Sequence, residues 1–240
     1  KAIKGFLRSN NINKEKIFKK KTEKGEFYFY NKPEKKFLTN DFLIDNIPTI
    51  LNNIHWKKSM KWADHDLNWA RPLKSILATF KNKTLQFKFY HIESSNFTYL
   101  DKDFEDKKKV FKNFKSYFNY FKKSGIIIDH NERKIFIKNE LLKYSSKKNL
   151  KLEINENLLQ EVTDLVERPK ILSCKFDRKF LEIPKEILII TMQYHQKYFP
   201  TFDNKNNISN EFLVVANNND HKGFIKLGNE RVVEARLNDA

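Results

Sequence analysis

The sequence predicts an α+β fold with mixed and antiparallel sheets and packed helices, and three observations predict it. Short aromatic or β-branched runs such as GEFYFYN (25–31) and FLVVAN (212–217) have the composition of strands. Longer runs such as 37–54 and 103–123 repeat their apolar residues at threes and fours, the helical spacing. The chain has 240 residues, 40% of them hydrophobic and 22 of them Phe, which is enough for one large core or two smaller ones.

Taken in order, residues 2–9 form a short helix and 25–31 a strand, after which the charged KPEKK turns the chain. Between 37 and 54, Phe42, Leu43, Ile47, Ile50, Leu51 and Ile54 recur at helical spacing, and Pro48 should kink or divide that helix because it lacks an N–H. LKSILATF (73–80) and TLQFKFYHI (84–92) flank the polar turn KNK as a hairpin, the second run alternating apolar and polar residues. Residues 103–123 make a helix with a buried face through Phe104, Val110, Phe111, Phe114, Tyr117, Phe118 and Phe121 and a lysine-rich outer face. Gly125 stops it. IIID then reads as a short buried strand, and another helix runs over about 131–146.

Asn155 is placed to cap a helix through ENLLQEVTDLVE, which Pro169 closes. KILSCKF (170–176) is a strand, and Pro184 sits in the first turn of a helix through KEILIITMQY. On that helix Ile187, Leu188, Thr191 and Met192 share an inward face. KYFPTF and FLVVAN are strands joined by DNKNNISN, and GNERVVEARLNDA begins a helix with no stop signal before residue 240. That open end implies an internal piece of a longer protein. No Gly/Ser-rich or Pro-rich linker occurs, so the border between an N-terminal region, 1–150, and a C-terminal region, 151–240, is soft.

Net charge is +17, from 47 Lys and Arg against 30 Asp and Glu. A polyanion such as RNA is the obvious partner for that charge, since neutralising phosphates releases counterions. Only seven of the 47 are Arg, and the chain is rich in Asn, Ile and Phe, which is also how an AT-rich genome colours its proteins. Both readings stand at this point. No run of apolar residues is long enough for a membrane helix, and no secretion signal opens the chain. The single cysteine, Cys174, excludes an internal disulfide and fits a reducing cytoplasm.

Six His residues form no HxH, HxxxH or HExxH pair, so no metal site is expected, and DHD at 64–66 reads as turn chemistry before ligation. GxxxxGK[ST], GxGxxG and GxSxG are all absent, and no catalytic constellation stands out. Two stretches mix cations with aromatics. In WKKSMKWADHDLNWARP (56–72), all three Trp are interleaved with Lys57, Lys58, Lys61 and Arg71. Such a mixture can stack on bases and hold phosphates; equally, Trp62 and Trp69 can fill a core while the lysines stay solvated. In TMQYHQKYFP (191–200), His195, Gln196 and Lys197 crowd a helix-to-strand junction with no carboxylate nearby in sequence. A base in catalysis needs an orienting partner, so recognition or packing outranks chemistry there.

The order of the runs is itself informative. KGEF (24–27), KSMKWADHDLNWARPL (58–73), LLQEVTDLVERP (158–169), KFDRKFLEIPKEILIITMQYHQKYFP (175–200), FLVVAN and GNERVVEARLNDA (228–240) follow in succession. Together they resemble the beta subunit of the bacterial heterotetrameric glycyl-tRNA synthetase, over nearly the whole chain and most densely from 155 to 240. Three places depart from that pattern. Lys61 stands where the family has Arg, Arg168 replaces a bulky apolar residue before Pro169, and SSNF (94–97) replaces a GHRF-like run. Lysine keeps the charge at 61 but loses the planar fork that grips a phosphate bidentately.

The resemblance implies a part of the ligase that has no active site of its own. Glycine, ATP and Mg2+ belong on the separate alpha subunit, with no cofactor in this chain. The partners it implies are tRNA(Gly), the alpha subunit and the rest of the beta subunit. It makes Lys61, Arg71, His195, Lys197, Arg231 and Arg236 the candidate tRNA contacts. Two subdomains are expected, and part of the region also resembles the editing module of the phenylalanyl-tRNA synthetase beta subunit. That leaves two alternatives open: a hydrolase acting on mischarged tRNA, and a scaffold that touches only protein.

Overall fold

The computed structural model describes residues 2–32, 34, 36, 38–99 and 108–239. The fold is α+β, with seven α-helices and several small antiparallel or mixed sheets among the described residues. It divides into two compact units, Lys1–Lys109 and Val110–Ala240.

In the first unit, helix α1 (Ala2–Ser9) precedes a hairpin of β1 (Ile17–Thr22) and β2 (Gly25–Tyr30), paired in register from Ile17↔Tyr30 to Thr22↔Gly25. IFKKKT carries three lysines on a strand whose middle is exposed, so apolar patterning gave β1 no signal. Helix α2 (Thr39–Asn52) is one helix with Pro48 inside it, so of the two expected effects of that proline, a kink or a division, the division does not occur. It also turns a narrower face inward than its sequence periodicity predicts. Leu43, Ile44, Ile47 and Leu51 pack on the core, while Phe42 and Ile50 face outward. Phe37 lies outside the described residues.

The core beneath α2 is built from short strands. β3 (Met60–Lys61) and β4 (Asn68–Trp69) pair with each other. β5 (Ile76–Leu77), β6 (Thr79–Phe80), β7 (Lys83–Thr84), β8 (Lys88–Phe89) and β9 (Ile92–Ser95) then replace the single hairpin expected over 73–92. β6 and β7 form the hairpin proper, and its turn residues Lys81 and Asn82 both take positive φ. That is the type I′ geometry which matches strand twist. β8 and β9 make a second hairpin around Tyr90 and His91, and β9 pairs in parallel with β5. The predicted alternation holds: Leu85, Phe87 and Phe89 are buried while Gln86 and Lys88 are exposed. β10 (Phe97–Tyr99) pairs with β11 (Lys108–Val110). The helix expected from 103 therefore does not form at 108–110, and Phe104 lies outside the described residues.

The second unit opens with Phe111, buried against Tyr117, Tyr120 and Phe121. Helix α3 (Phe114–Lys123) starts at a capping box between Asn113 and Ser116, which ties Phe114 into the first turn but leaves its ring exposed. Ile126–Ile128 is a link with no strand pairing. The Ile127 N–H donates to Glu167 O at 2.9 Å, and the Ile127 carbonyl accepts from Arg133 at 2.7 Å. Helix α4 (His130–Lys147) buries Ile137, Leu141 and Ser145. Asn155 caps α5 (Glu156–Leu165) as predicted, its side chain accepting from the Asn157 and Leu158 N–H groups.

A three-stranded sheet of order β12-β14-β13 organises the rest, from β12 (Lys170–Lys175), β13 (Phe199–Phe202) and β14 (Ile208–Ala216). Both pairings are antiparallel. On one side Leu213, Phe199 and Val162 join Ile137, Leu141 and Leu159 from α4 and α5. On the other, Phe212, Cys174 and Val214 meet Leu188, Met192 and Val233. A period-two strand buried on both faces explains why FLVVA is continuously apolar. Pro184 is the N-cap of α6 (Lys185–Ile190), one place earlier than predicted. Ile187 is exposed, so the inward face there is Leu188, Thr191 and Met192. Helix α7 (Phe224–Asn238) starts four residues before the predicted GNER, after Gly223 at φ 72°. The Asp220 carboxylate accepts from the Ile225 and Lys226 N–H groups and so supplies the cap.

Candidate nucleic-acid interface

The run TMQYHQKYFP lies where α6 ends. Its first half, Thr191–His195, winds into a π-helical turn, and Lys197 takes φ 62° before the chain enters β13. A wide turn followed by a left-handed residue reverses the chain within a few residues, and the Tyr198 N–H donates back to the Met192 carbonyl at 2.8 Å. Tyr198 is thereby driven into the core, stacked on Phe212 with ring centroids 5.2 Å apart. Its hydroxyl donates to the Asn229 side chain on α7, and burial pushes the phenol up to about 12. Asn229 in turn donates to the Ile225 carbonyl at 2.6 Å.

Of the two candidates in this run, Lys197 is committed. Its Nζ lies 2.9 Å from Glu161 on α5 and 5.4 Å from the Tyr194 ring centroid. The absence of a nearby carboxylate in sequence did not survive folding. His195 is exposed and meets the Tyr194 ring edge-on at 5.5 Å. Tyr194 itself is 73% exposed, so an aromatic, an imidazole and a cation share this rim. Gln193 reaches Asn155 at 3.3 Å, which ties the turn to the start of α5.

Helix α7 sorts its side chains by direction. Glu230 accepts from the Lys175 N–H at 2.9 Å, and Glu234 accepts from the Asp177 N–H at 3.2 Å. These two carboxylates and Asn229 hold the end of β12 and the Tyr198 ring. Val233 and Leu237 enter the core, and Arg231 and Arg236 are left exposed. The LVERP run is held in a comparable way. The Glu167 and Arg168 N–H groups both donate to Asn217 Oδ1, at 2.8 and 2.9 Å. Nearby, His130 Nε2 lies 2.6 Å from Asp164 and 3.0 Å from Gln160. The bond to His130 leads the effects that hold the Asp164 carboxyl below its usual range.

Lys61 and Arg71 belong to the first unit. Lys61 lies on β3 with its Nζ 2.8 Å from Asp66, a bond that raises the lysine and lowers the carboxylate. Arg71 follows β4, exposed. Around them the three tryptophans separate. Trp69 packs onto the core between Trp56 (centroids 4.9 Å apart) and Phe89 (5.8 Å), both edge-on. Trp62 is half-buried, its indole N–H donating to the Trp69 carbonyl at 3.0 Å. The structural reading of Trp69 and the surface reading of Lys57 and Lys58 thus both hold, since the lysines are exposed.

Sequence reasoning missed two features. One is a cavity of about 630 Å³ beside Trp62 and Trp69 that also takes in His65, His91, Lys74 and Lys108. The other is the inward use of Asn229, Glu230 and Glu234. The first had a signal, because every tryptophan falls within 56–69; the second had none, because an Asn-Glu pair on a helix looks solvated. Ser94, in the divergent SSNF run, is buried and bonds to the Leu85 and Phe87 carbonyls at 2.6 and 3.0 Å. Among the described residues, no group of three or more His, Cys, Asp and Glu is placed to hold a metal ion, and no helix is long and apolar enough to cross a membrane. Cys174 is fully buried, and burial pushes its thiol up to about 12.

The family profile described as "Glycyl-tRNA synthetase beta subunit" matches residues 1–240. Proteins named "Glycine--tRNA ligase beta subunit" from Rickettsia canadensis and Rickettsia akari are each 35% identical over 240 residues, covering 100% of this chain. The protein of that name from Rickettsia bellii is 34% identical over 240 residues. The chain spans 36% of the length of each of these relatives.

Proposed function

The chain belongs to the glycyl-tRNA synthetase beta subunit family, and from that premise we propose that it supports attachment of glycine to tRNA(Gly) by holding the tRNA and bracing the subunit that does so. The observation that carries this reading is the family match over residues 1–240. In this reading the chain is not itself catalytic: glycine, ATP and Mg2+ are handled by an alpha subunit, in the cytoplasm. The partners of this chain are then the tRNA, the alpha subunit and the rest of the beta subunit. The geometry supports a division of labour within it. Polar groups of the family runs, such as Asn217, Asn229, Glu230 and Glu234, are turned toward backbone or core. Exposed cations, Arg71 in one unit and Arg231 and Arg236 in the other, are left to meet phosphate. His195 beside Tyr194 adds a surface on which an unpaired base can stack. Lys61 and Lys197 contribute less, because Asp66 and Glu161 already neutralise them. The comparisons name ligase subunits and do not favour the hydrolase alternative.

The test is the affinity of the complete alpha/beta complex for tRNA(Gly) and for an unrelated tRNA across a salt series, with wild type, R71E and R231E/R236E compared. Each lost phosphate contact should weaken binding and flatten the slope of log affinity against log salt by about one. Unchanged affinity and slope in both variants, with tRNA still bound, would remove these arginines from the interface. A complex that binds both tRNAs equally, and only at low salt, would reduce the net charge of +17 to genomic composition.

A further inference from the structure

We propose that the cavity beside the tryptophan-rich segment is a nucleotide pocket, which takes an unpaired base between its aromatic walls and the attached phosphate at Lys74 and Lys108. This rests on the reading of the chain as an RNA-holding part and gives that reading a specific site. A volume of about 630 Å³ is that of a pocket for a mononucleotide-sized ligand. Its walls offer π faces: Trp62 and Trp69 line it, together with His65 and His91. Those two imidazoles are already stacked, with centroids 3.5 Å apart and planes 10° from parallel. A stack of that spacing is one that a further flat ring can extend.

The walls are set before any ligand arrives. The Trp62 indole is held by its bond to the Trp69 carbonyl, and Trp69 is wedged between Trp56 and Phe89. His91 is in the β8–β9 turn, directly after Tyr90, which takes φ 52° and bonds through its hydroxyl to Asn52 at 2.9 Å. Fixed rings lose little freedom on binding, so stacking is not offset by ordering. The charge is complementary as well. Both lining cations are exposed lysines, and no described residue that lines the cavity carries a carboxylate. Lys108 has its Nζ 4.7 Å from the Phe97 ring centroid and 5.8 Å from that of Tyr99, which holds the ammonium over aromatic faces. Aromatic faces with two ammonium groups that form no ion pair among the described residues are the combination that single-stranded nucleic acid selects, whatever the base.

The chain carries its own reporter. All three of its tryptophans line this cavity or touch a residue that does. Intrinsic fluorescence of the purified chain would be followed during titration with a short single-stranded RNA of mixed sequence, a blunt RNA duplex, adenosine 5′-monophosphate and inorganic phosphate. The expected result is saturable quenching by the single strand and, more weakly, by the mononucleotide, with none from the duplex or from phosphate alone. K74A/K108A and H91A should each weaken the single strand about tenfold or more, and K185A, at an exposed lysine of α6, should leave the quenching unchanged. Quenching by the mononucleotide without the single strand would overturn RNA as the source. Equal affinity for phosphate would overturn base recognition. Because H91A can disturb the turn, K74A/K108A, two exposed substitutions, is the decisive pair; undiminished binding in it overturns the pocket. If the complex binds tRNA(Gly) but nothing quenches, the pocket fails and the broader reading stands. If the single strand quenches but the complex ignores tRNA, the pocket stands and that reading fails.

Discussion

The two units solve the burial problem differently. In Val110–Ala240 the apolar residues reach complete burial: Ile137, Leu159, Phe199 and Phe212 are all at 0% exposure. In Lys1–Lys109 the best-buried core residue is Phe89 at 3%, and α2 has no fully buried side chain. The second unit adds polar struts that cross long stretches of sequence, from Glu230 to Lys175, Glu234 to Asp177 and Asn217 to Glu167. Both units leave rings at the surface, Phe18, Phe27, Phe29 and Trp56 in the first and Phe114 and Tyr194 in the second, but among the described residues of the first none of the core side chains beneath them is completely buried. A dense run of motif residues can therefore report architecture, while a poorly packed segment holds the open faces on which a ligand can sit. HQKYF, the most eye-catching run, turns out to be a packed corner with a polar rim.

Core truncation should break the comparison most strongly. Phe212→Ala removes a fully buried ring that stacks on both Phe176 and Tyr198, and should cost about 3–5 kcal/mol. The measurement is the urea midpoint followed by reaction of Cys174 with a thiol reagent. Its thiol, raised to about 12, stays neutral and shielded at neutral pH, so labelling reports opening of the second unit. Phe27→Ala on the exposed hairpin, by contrast, should change stability by less than about 1 kcal/mol in urea unfolding followed by tryptophan fluorescence, which reports the first unit because all three tryptophans lie there. Equal costs at the two sites would erase the distinction drawn between the units.

The struts come next. Glu230→Ala removes the acceptor of the Lys175 N–H and should cost about 0.5–1.5 kcal/mol in the Cys174 assay. Glu230→Gln keeps a carbonyl oxygen in place and should recover most of that loss. A variant pair that behaves alike would mean the strut is carried by something other than hydrogen bonding.

Tyr198→Phe should cost about 1 kcal/mol, because it removes the hydroxyl that donates to Asn229 while keeping the ring. It also has a pH signature. The unfolded phenol ionises near pH 10, whereas in the fold it does so only at about 12. The buried phenol's contribution is thus intact below about pH 10 and is lost as pH rises toward its folded value, at about 1.4 kcal/mol per pH unit. The stability advantage of the wild type over Y198F should accordingly shrink above about pH 10. Parallel curves through that range would mean Tyr198 is less enclosed than the structure has it.

How far these features were legible depends on whether their cause is local. The alternation through Leu85, Phe87 and Phe89 and the cap at Asn155 are short-range effects, and both were read correctly from sequence. β1 was invisible because KKK has no strand pattern until β2 pairs with it. Ile126–Ile128 looked like a strand because three isoleucines always do, yet their bonds go to Glu167 and Arg133 across the unit. The start of α7 was misplaced because Gly228 resembled a beginning; the actual one uses Gly223 and the Asp220 carboxylate, a loop residue. At the candidate interface the residue types were legible and their partners were not. Nothing in HQKYF announces Glu161, and nothing in KSMKW announces that His65 will meet His91.

The smallest predicted effect sharpens the question of what the first unit's charges are for. Lys61 and Asp66 form an exposed pair on the β3–β4 hairpin, where solvent screens both charges. Asp66→Asn should therefore leave the urea midpoint where it is. It does free the Lys61 ammonium, which can then meet a phosphate without first giving up a carboxylate. If this hairpin faces tRNA, D66N should tighten binding of tRNA(Gly) by the alpha/beta complex a few-fold and steepen the salt slope by about one. K61A should produce little change, because in the wild type that charge is already matched. The opposite ranking, with K61A harmful and D66N neutral, would mean the ion pair opens on binding and that Lys61 acts as a phosphate contact in the wild type. No response in either variant would place the hairpin away from RNA and leave Arg71, Arg231 and Arg236 as the candidates to pursue.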